Sequence, residues 1–193
     1  MFLKLRPTLS CGNIMPRERK YSPNCLRFFE AFTHFQTDNM ASLYLIPVTL
    51  GQTAIDRVLP AYNTDVIHSI RHFIVEEIRT ARRFLKQVDR DIDIDSLTFY
   101  PMGKHADPAL FSRYLEPLRK GESVGVISEA GCPAVADPGS DVVAIAQREG
   151  LSVVPLVGPS SILLSVMASG FNGQSFAFHG SLRIDSSARS KRL

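Results

Sequence analysis

A chain of 193 residues with 45% hydrophobic content holds enough apolar side chain for one packed core, which excludes an intrinsically disordered protein. The longest apolar stretch, residues 151–167, is interrupted by Pro155, Gly158 and Pro159, so no run reaches the roughly 18 consecutive apolar residues of a membrane-spanning helix. The formal charge of +3 resides in residues 1–39 and the remainder balances to zero, so charge gives no argument for a nucleic-acid partner.

Residues 1–39 sustain neither a period of 2 nor of 3.6 and scatter Pro7, Pro16 and Pro23 among basic residues. A poorly structured extension is expected there. Translation starting at Met40 and a basic transit peptide are two accounts of it. From Leu43 the pattern changes to short apolar runs alternating with helical segments. Residues 43–48 (LYLIPV) predict a strand that Pro47 should end, and residues 55–70 predict a helix. A strand over 72–75 ends at Glu76 and Glu77, a helix follows over 79–88, and a strand over 97–100. Asp107 and Pro108 have the chemistry of an N-cap and first helical position for a helix running to Gly121. Residues 123–128 (SVGVIS) predict a buried strand, Ser140 a cap for a helix ending at Gly150, and residues 151–157 another strand. Ser160 or Ser161 opens a helix to Ala168, and residues 176–179 predict a last strand. Strands and helices alternating at this spacing define an α/β class, with a mainly parallel sheet covered by helices on both faces. Ligands of such sheets bind beyond the carboxyl ends of the strands, which directs attention to the loops that leave them.

Three such passages stand out. Residues 128–139 (SEAGCPAVADPG) pack two glycines and two prolines between a buried strand and a helix. Gly131 allows a positive φ or close approach of a ligand to backbone; a tight turn before a helix cap accounts for the same composition. Residues 157–161 (VGPSS) place a glycine and two hydroxyls at a helix start, able to hold a carboxylate or merely to cap the helix. Residues 75–85 (VEEIRTARRFL) end a strand with two carboxylates and begin a helix on which Arg79, Arg82, Arg83 and Lys86 share one face. That face suits either the phosphates of an RNA substrate or solvent, a solvated charged face being the commoner case. Neither G-x-G-x-x-G nor G-x-x-x-x-G-K-[ST] occurs, and the histidines and cysteines show no zinc-ligand spacing. Cys132 is expected to be a small packing residue. Cys11, Cys25 and Cys132 are odd in number and far apart, which fits a reducing compartment, the cytoplasm by default.

Taken together, SEAGCPAVADPG, VEEIRTARRFL and VVPLVGPSS with its SVMASGF continuation resemble the tetrapyrrole methylase superfamily, and within it the ribosomal RNA small-subunit methyltransferase I branch. That branch shows S-D-A-G-x-P-x-x-S-D-P-G, E-D-T-R-x-T-R-x-L-L and P-G-P-S, and the resemblance covers residues 43–182. It implies two α/β domains with S-adenosylmethionine bound between them, methyl transfer to a ribosomal RNA ribose 2′-hydroxyl, a homodimer, and no metal. A tetrapyrrole methyltransferase and a non-catalytic cofactor-binding remnant are the alternatives. The resemblance implies cofactor contacts at Pro47, Gly51, Ser128, Glu129, Ala130, Gly131, Pro133, Gly158, Pro159 and Ser160. It also implies catalytic or substrate-positioning roles at Glu77, Arg79 and Asp137, with Gly139 matching a further motif position.

Departures from the family pattern are specific. The family's T-P-I-G-N-L becomes P-V-T-L-G-Q-T, Glu77 and Glu129 stand where the family has aspartates, and Ile78 where it has threonine. The expected division is an extension over 1–39, the N-terminal α/β methylase domain over 40–170, and the start of a shortened second domain over 171–193. Weak or no activity is expected of the 193-residue form on that basis.

Overall fold

The computed structural model describes residues 40–103, 107–136, 138–178 and 180. The expectations for residues 1–39, Asp137, His179 and residues 181–193 lie outside them.

The apolar runs become five short strands: β1 (Leu43–Ile46), β2 (His72–Val75), β3 (Thr98–Pro101), β4 (Val124–Ile127) and β5 (Val153–Pro155). They form one sheet in the order β3-β2-β4-β1-β5, every pair parallel. The central strand β4 is buried along its whole length, as a strand covered on both faces must be. Prolines sit where a missing N–H costs least: Pro101 and Pro155 on the two edge strands, Pro47 just past β1.

Alternation along the strands divides the core in two. Ile46, Phe73, Val75 and Ile127 face one side, where they pack with Val66 and Ile67 of α1 (Ala61–Ser69) and Phe84 and Leu85 of α2 (Ile78–Val88). Leu43, Ile74, Val124 and Val126 face the other. There they meet Phe111 and Tyr114 of α3 (Phe111–Tyr114), Leu118 of α4 (Glu116–Arg119), and Val142 and Ala146 of α5 (Ser140–Arg148). Each large apolar side chain buried this way contributes roughly 1.5–3 kcal/mol before chain entropy is set against it. Gly125 makes room within the first layer, because a Cβ there would stand 2.7 Å from Ile46 Cδ1 and 2.9 Å from Phe73 Cδ1.

Four expectations are corrected. The helix over 55–70 is a 3-10 turn, Ile55–Arg57, followed by α1, because Pro60 lacks an N–H and holds an extended ψ of 146°. The helix from Asp107 to Gly121 begins as expected, with Asp107 Oδ1 accepting from the Ala109 N–H at 2.9 Å, but Pro117 divides it into short turns. Ser140 is the first residue of α5 and its side chain does not cap; Gly139, with φ of 122°, occupies the cap position. Residues 176–178 form no strand, and Phe176 and Phe178 are exposed rather than paired in the sheet. The last helix, α6 (Ser161–Ser169), starts where expected, with Ser160 Oγ accepting from the Leu163 N–H at 3.5 Å.

Candidate functional site

The connection leaving β1 passes to the face covered by α1 and α2, whereas the one leaving β4 passes to the face covered by α5. β1 and β4 are neighbours whose connections cross to opposite faces of the sheet, and in sheets of this kind ligands bind beyond the carboxyl ends of the strands at such a point. Sheet order then places the exits of β2, β4, β1 and β5 side by side along this edge.

The passages leaving β1, β4 and β5 are in direct contact. Val48 donates its N–H to the Gly131 carbonyl at 2.8 Å and accepts from the Gly131 N–H at 3.0 Å, an antiparallel bridge joining the exits of β1 and β4. Cys132 Sγ donates to the Pro159 carbonyl at 3.4 Å, joining β4's exit to that of β5. Gly158 lies so close to Pro47 that a Cβ would stand 2.2 Å from the proline Cγ. Gly131 has φ of 71°, and a Cβ there would meet the Leu50 side chain at 3.1 Å. Asn63 of α1, buried to 2% exposure, donates to the Val157 carbonyl at 2.9 Å and so holds β5's exit against the first helix. The result is a wall built largely of backbone, with the Ser128 side chain buried within it and its Oγ 3.5 Å from the Ala130 carbonyl. Pro133 is buried as well, while Glu129 and Ala130 are exposed.

The exit of β2 joins this group through a side-chain contact. Thr80 Oγ1 donates to the Glu129 carboxylate and also lies 3.0 Å from the Glu77 carbonyl oxygen. Glu77 itself is the N-cap of α2, its Oε1 accepting the Arg79 N–H at 3.2 Å. Its carboxylate is therefore engaged in holding the helix start, and Arg79 stands exposed in the first turn of α2. Two cavities open beside the wall. One, of about 480 Å³, is lined by Leu59, Val157, Gly158, Pro159 and Leu164 among others. The other, of about 900 Å³, is lined on one side by the segment from Thr49 to Thr64 of α1 and on the other by Arg83, Lys86 and Gln87 of α2, with Arg90 just beyond it. Ser128, Glu129 and Gly131 line neither; the wall meets the first cavity at Gly158 and Pro159 and the second at Gly51.

Sequence reasoning did not single out Val48, Asn63 or Thr80. Their roles arise from pairings across the fold. A buried asparagine on the apolar face of α1 was the one available signal. Also unforeseen are Ala134 and Ala136, which hold φ of 66° and 60° in the passage leaving β4. Non-glycine residues in that region are strained, and such strain concentrates at ligand clamps and switch loops.

Polar groups at the opposite end of the sheet are mutually satisfied. His72 lies 2.9 Å from Glu122 Oε2 through Nε2 and 3.1 Å from the Tyr100 hydroxyl through Nδ1. Burial, then the Glu116 and Glu122 carboxylates, push the Tyr100 phenol above its usual value.

A parallel five-stranded sheet layered by helices, with its strand exits joined at one carboxyl edge, is an α/β architecture of the Rossmann-like kind. By sequence the chain is a relative of proteins named Ribosomal RNA small subunit methyltransferase I. It is 37% identical to the one from Leptospira biflexa over 151 residues, covering 78% of this chain and 60% of that protein. It is 31% identical to the Vibrio cholerae protein over 153 residues, 78% of this chain and 50% of the relative, and 27% identical to that of Bacillus subtilis over 155 residues, 80% and 50%. The chain thus spans about half the length of the curated relatives it matches. No protein-family model matches it. No helix among the described residues is long and apolar enough to cross a membrane.

Proposed function

We propose that this chain belongs to an S-adenosylmethionine-dependent methyltransferase acting on ribosomal RNA, with the wall between β1, β4 and β5 as its cofactor side. The observation that carries this is the Val48–Gly131 bridge, which fuses the exits of two neighbouring parallel strands at the crevice where such sheets take ligands. The names of the relatives support the methyltransferase class and favour RNA over a tetrapyrrole as substrate.

The residues present fit a sulfonium nucleoside. Gly131 and Gly158 let three stretches of backbone lie against one another, so that peptide groups rather than bulky side chains form the surface. Pro47 and Pro133 stiffen that surface, which lowers the ordering cost when a ligand docks. The start of α6, with the Ser160 hydroxyl at its cap, suits the carboxylate of an amino-acid moiety. When bound, S-adenosylmethionine supplies a methyl group on a positively charged sulfur that leaves readily. The protein's part is then alignment, holding donor and acceptor so that less freedom and solvent order are lost on the way to the transition state. Glu77, Arg79 and Asp137 are assigned to the substrate side, Glu77 acting chiefly by fixing the start of α2. In this reading residues 40–170 are the N-terminal α/β domain of a cytoplasmic, homodimeric enzyme, the dimer being supported by the exposed Leu163, Leu164 and Met167 of α6.

Calorimetric titration of the full chain with S-adenosylmethionine tests the assignment. One-to-one binding is expected, weakened about tenfold or more by Gly131→Val, which forces a branched side chain into a positive-φ position against Leu50. A wild-type chain that takes up no cofactor at millimolar concentration rules the assignment out.

A further inference from the structure

The cavity of about 900 Å³ gathers part of the basic face of α2 with cations and amides from other segments. It takes in Gly51, part of the candidate cofactor wall, and the segment that leads into α1, together with Arg83 and Lys86 of α2 and Arg90 beyond it. Three cations face one carboxylate there, that of Asp56, and Gln52 adds amide hydrogen-bonding groups. Among the described residues no carboxylate lies within ion-pair distance of Arg83, Lys86 or Arg90, whereas Arg119, His68 and His72 each have an acidic partner. Lys86 Nζ is held in place by the Arg90 carbonyl at 2.7 Å.

The basic face of α2 is therefore divided. Arg82 turns away, its guanidinium 5.3 Å from the centre of the Phe99 ring, where the attraction between cation and ring fixes it over the sheet edge. Arg83 and Lys86 remain, one turn apart, and Arg90 past the end of the helix extends the line. A single anion would leave most of such a trough empty. A polyanion with regularly spaced charges matches it, and rows of Arg and Lys flanked by amide donors are what sugar-phosphate backbones meet.

We propose that this groove holds the sugar-phosphate backbone of a single RNA strand and leads it to the cofactor wall at Gly51. The proposal rests on the reading of the chain as an RNA methyltransferase and adds the surface by which the substrate is gripped. No step of bond making is assigned to Arg83, Lys86 or Arg90; they position the strand.

Binding of the full chain to a labelled single-stranded RNA oligonucleotide of mixed sequence, followed by fluorescence anisotropy over a range of salt, decides the matter. Arg83→Glu with Lys86→Glu is expected to weaken affinity about tenfold or more at roughly 0.1 M salt and to reduce the slope of log K against log salt by about 1.4, since each phosphate contact contributes about 0.7 for a single strand. The milder pair Arg83→Ala with Lys86→Ala should move both quantities in the same direction, and unchanged far-UV circular dichroism confirms folding. A control pair of equal charge change, Arg113→Glu with Lys120→Glu at the cavity beside His72, should leave affinity within about twofold. Equal loss in the control, indifference to the groove pair, or a wild-type chain that binds no RNA overturns the inference. Equally effective competition by polyglutamate does so too, marking the groove as a site for an acidic protein. The cofactor titration is read separately: retained S-adenosylmethionine binding with groove-independent RNA binding removes the groove and leaves the methyltransferase assignment standing.

Discussion

At Gly158 the missing side chain allows the exit of β5 to lie against Pro47, since a Cβ would stand 2.2 Å from one ring carbon and 2.3 Å from another. A proline ring cannot rotate out of the way. Gly158→Ala is therefore expected to lower stability by about 1–3 kcal/mol, seen as an earlier urea midpoint with an unchanged slope. The sign reverses at Ala134, whose φ of 66° burdens an L-residue. Ala134→Gly should raise stability by about 0.5–1 kcal/mol, seen as a later urea midpoint, the relief of left-handed strain being partly offset by the greater freedom of glycine in the unfolded chain. Both positions lie in passages that composition alone marks as unusual, and Gly131 and Gly158 were legible as places of close approach. What they approach was not. The sequence carries a glycine's tolerance but not its neighbour, so Pro47 and Leu50 as the opposing groups emerge only when distant strand exits meet.

Elements were most legible where local chemistry acts without competition. The apolar stripe of α2, with Ala81, Phe84 and Leu85 buried, follows directly from its 3.6-residue period. Helices containing an internal proline were read too long, because periodicity runs on through Pro60 and Pro117 while the backbone does not. The broken segment containing Pro117 is secured instead by an ion pair. Arg119 of α4 donates through Nε and Nη2 to the two carboxylate oxygens of Glu149 at 2.8 Å each, just past α5. Hydrogen bonding from Arg119, opposed by slight desolvation and aided by its charge, lowers the Glu149 pKa below the ordinary 4.5. A lowered carboxylate contributes stability that is present above its unfolded value and fades as pH falls through the folded one. NMR titration is expected to place Glu149 below the ordinary glutamate value and to show Arg119→Ala returning it upward. Because Glu149 is exposed, the pair serves mainly to fix the orientation of α4 against α5.

Across the whole molecule, stability should follow the layering of the sheet. β1, β2 and β4 are flanked by strands on both sides and carry residues of both core layers, whereas α6 contributes no buried residue. Native-state hydrogen exchange is expected to leave amides of the three inner strands slowest and those of α6 fastest among the helices of eight residues or more. Equal protection in α6 and β4 would contradict this layering. By itself the sequence determined the α/β class, the strand at 72–75, the strands within the expected 43–48 and 123–128, α2 to within one residue of its start, and which loops deserved notice, because periodicity, glycine and proline act within a few residues of themselves. Tertiary structure alone decided the strand order, the bridging of Val48 to Gly131, the Thr80–Glu129 contact, and the separation of Arg82 from Arg83 and Lys86 into different surroundings. Each of these joins segments far apart along the chain, and such pairing is fixed by how two core layers fill a common sheet, a constraint that no local stretch of residues contains.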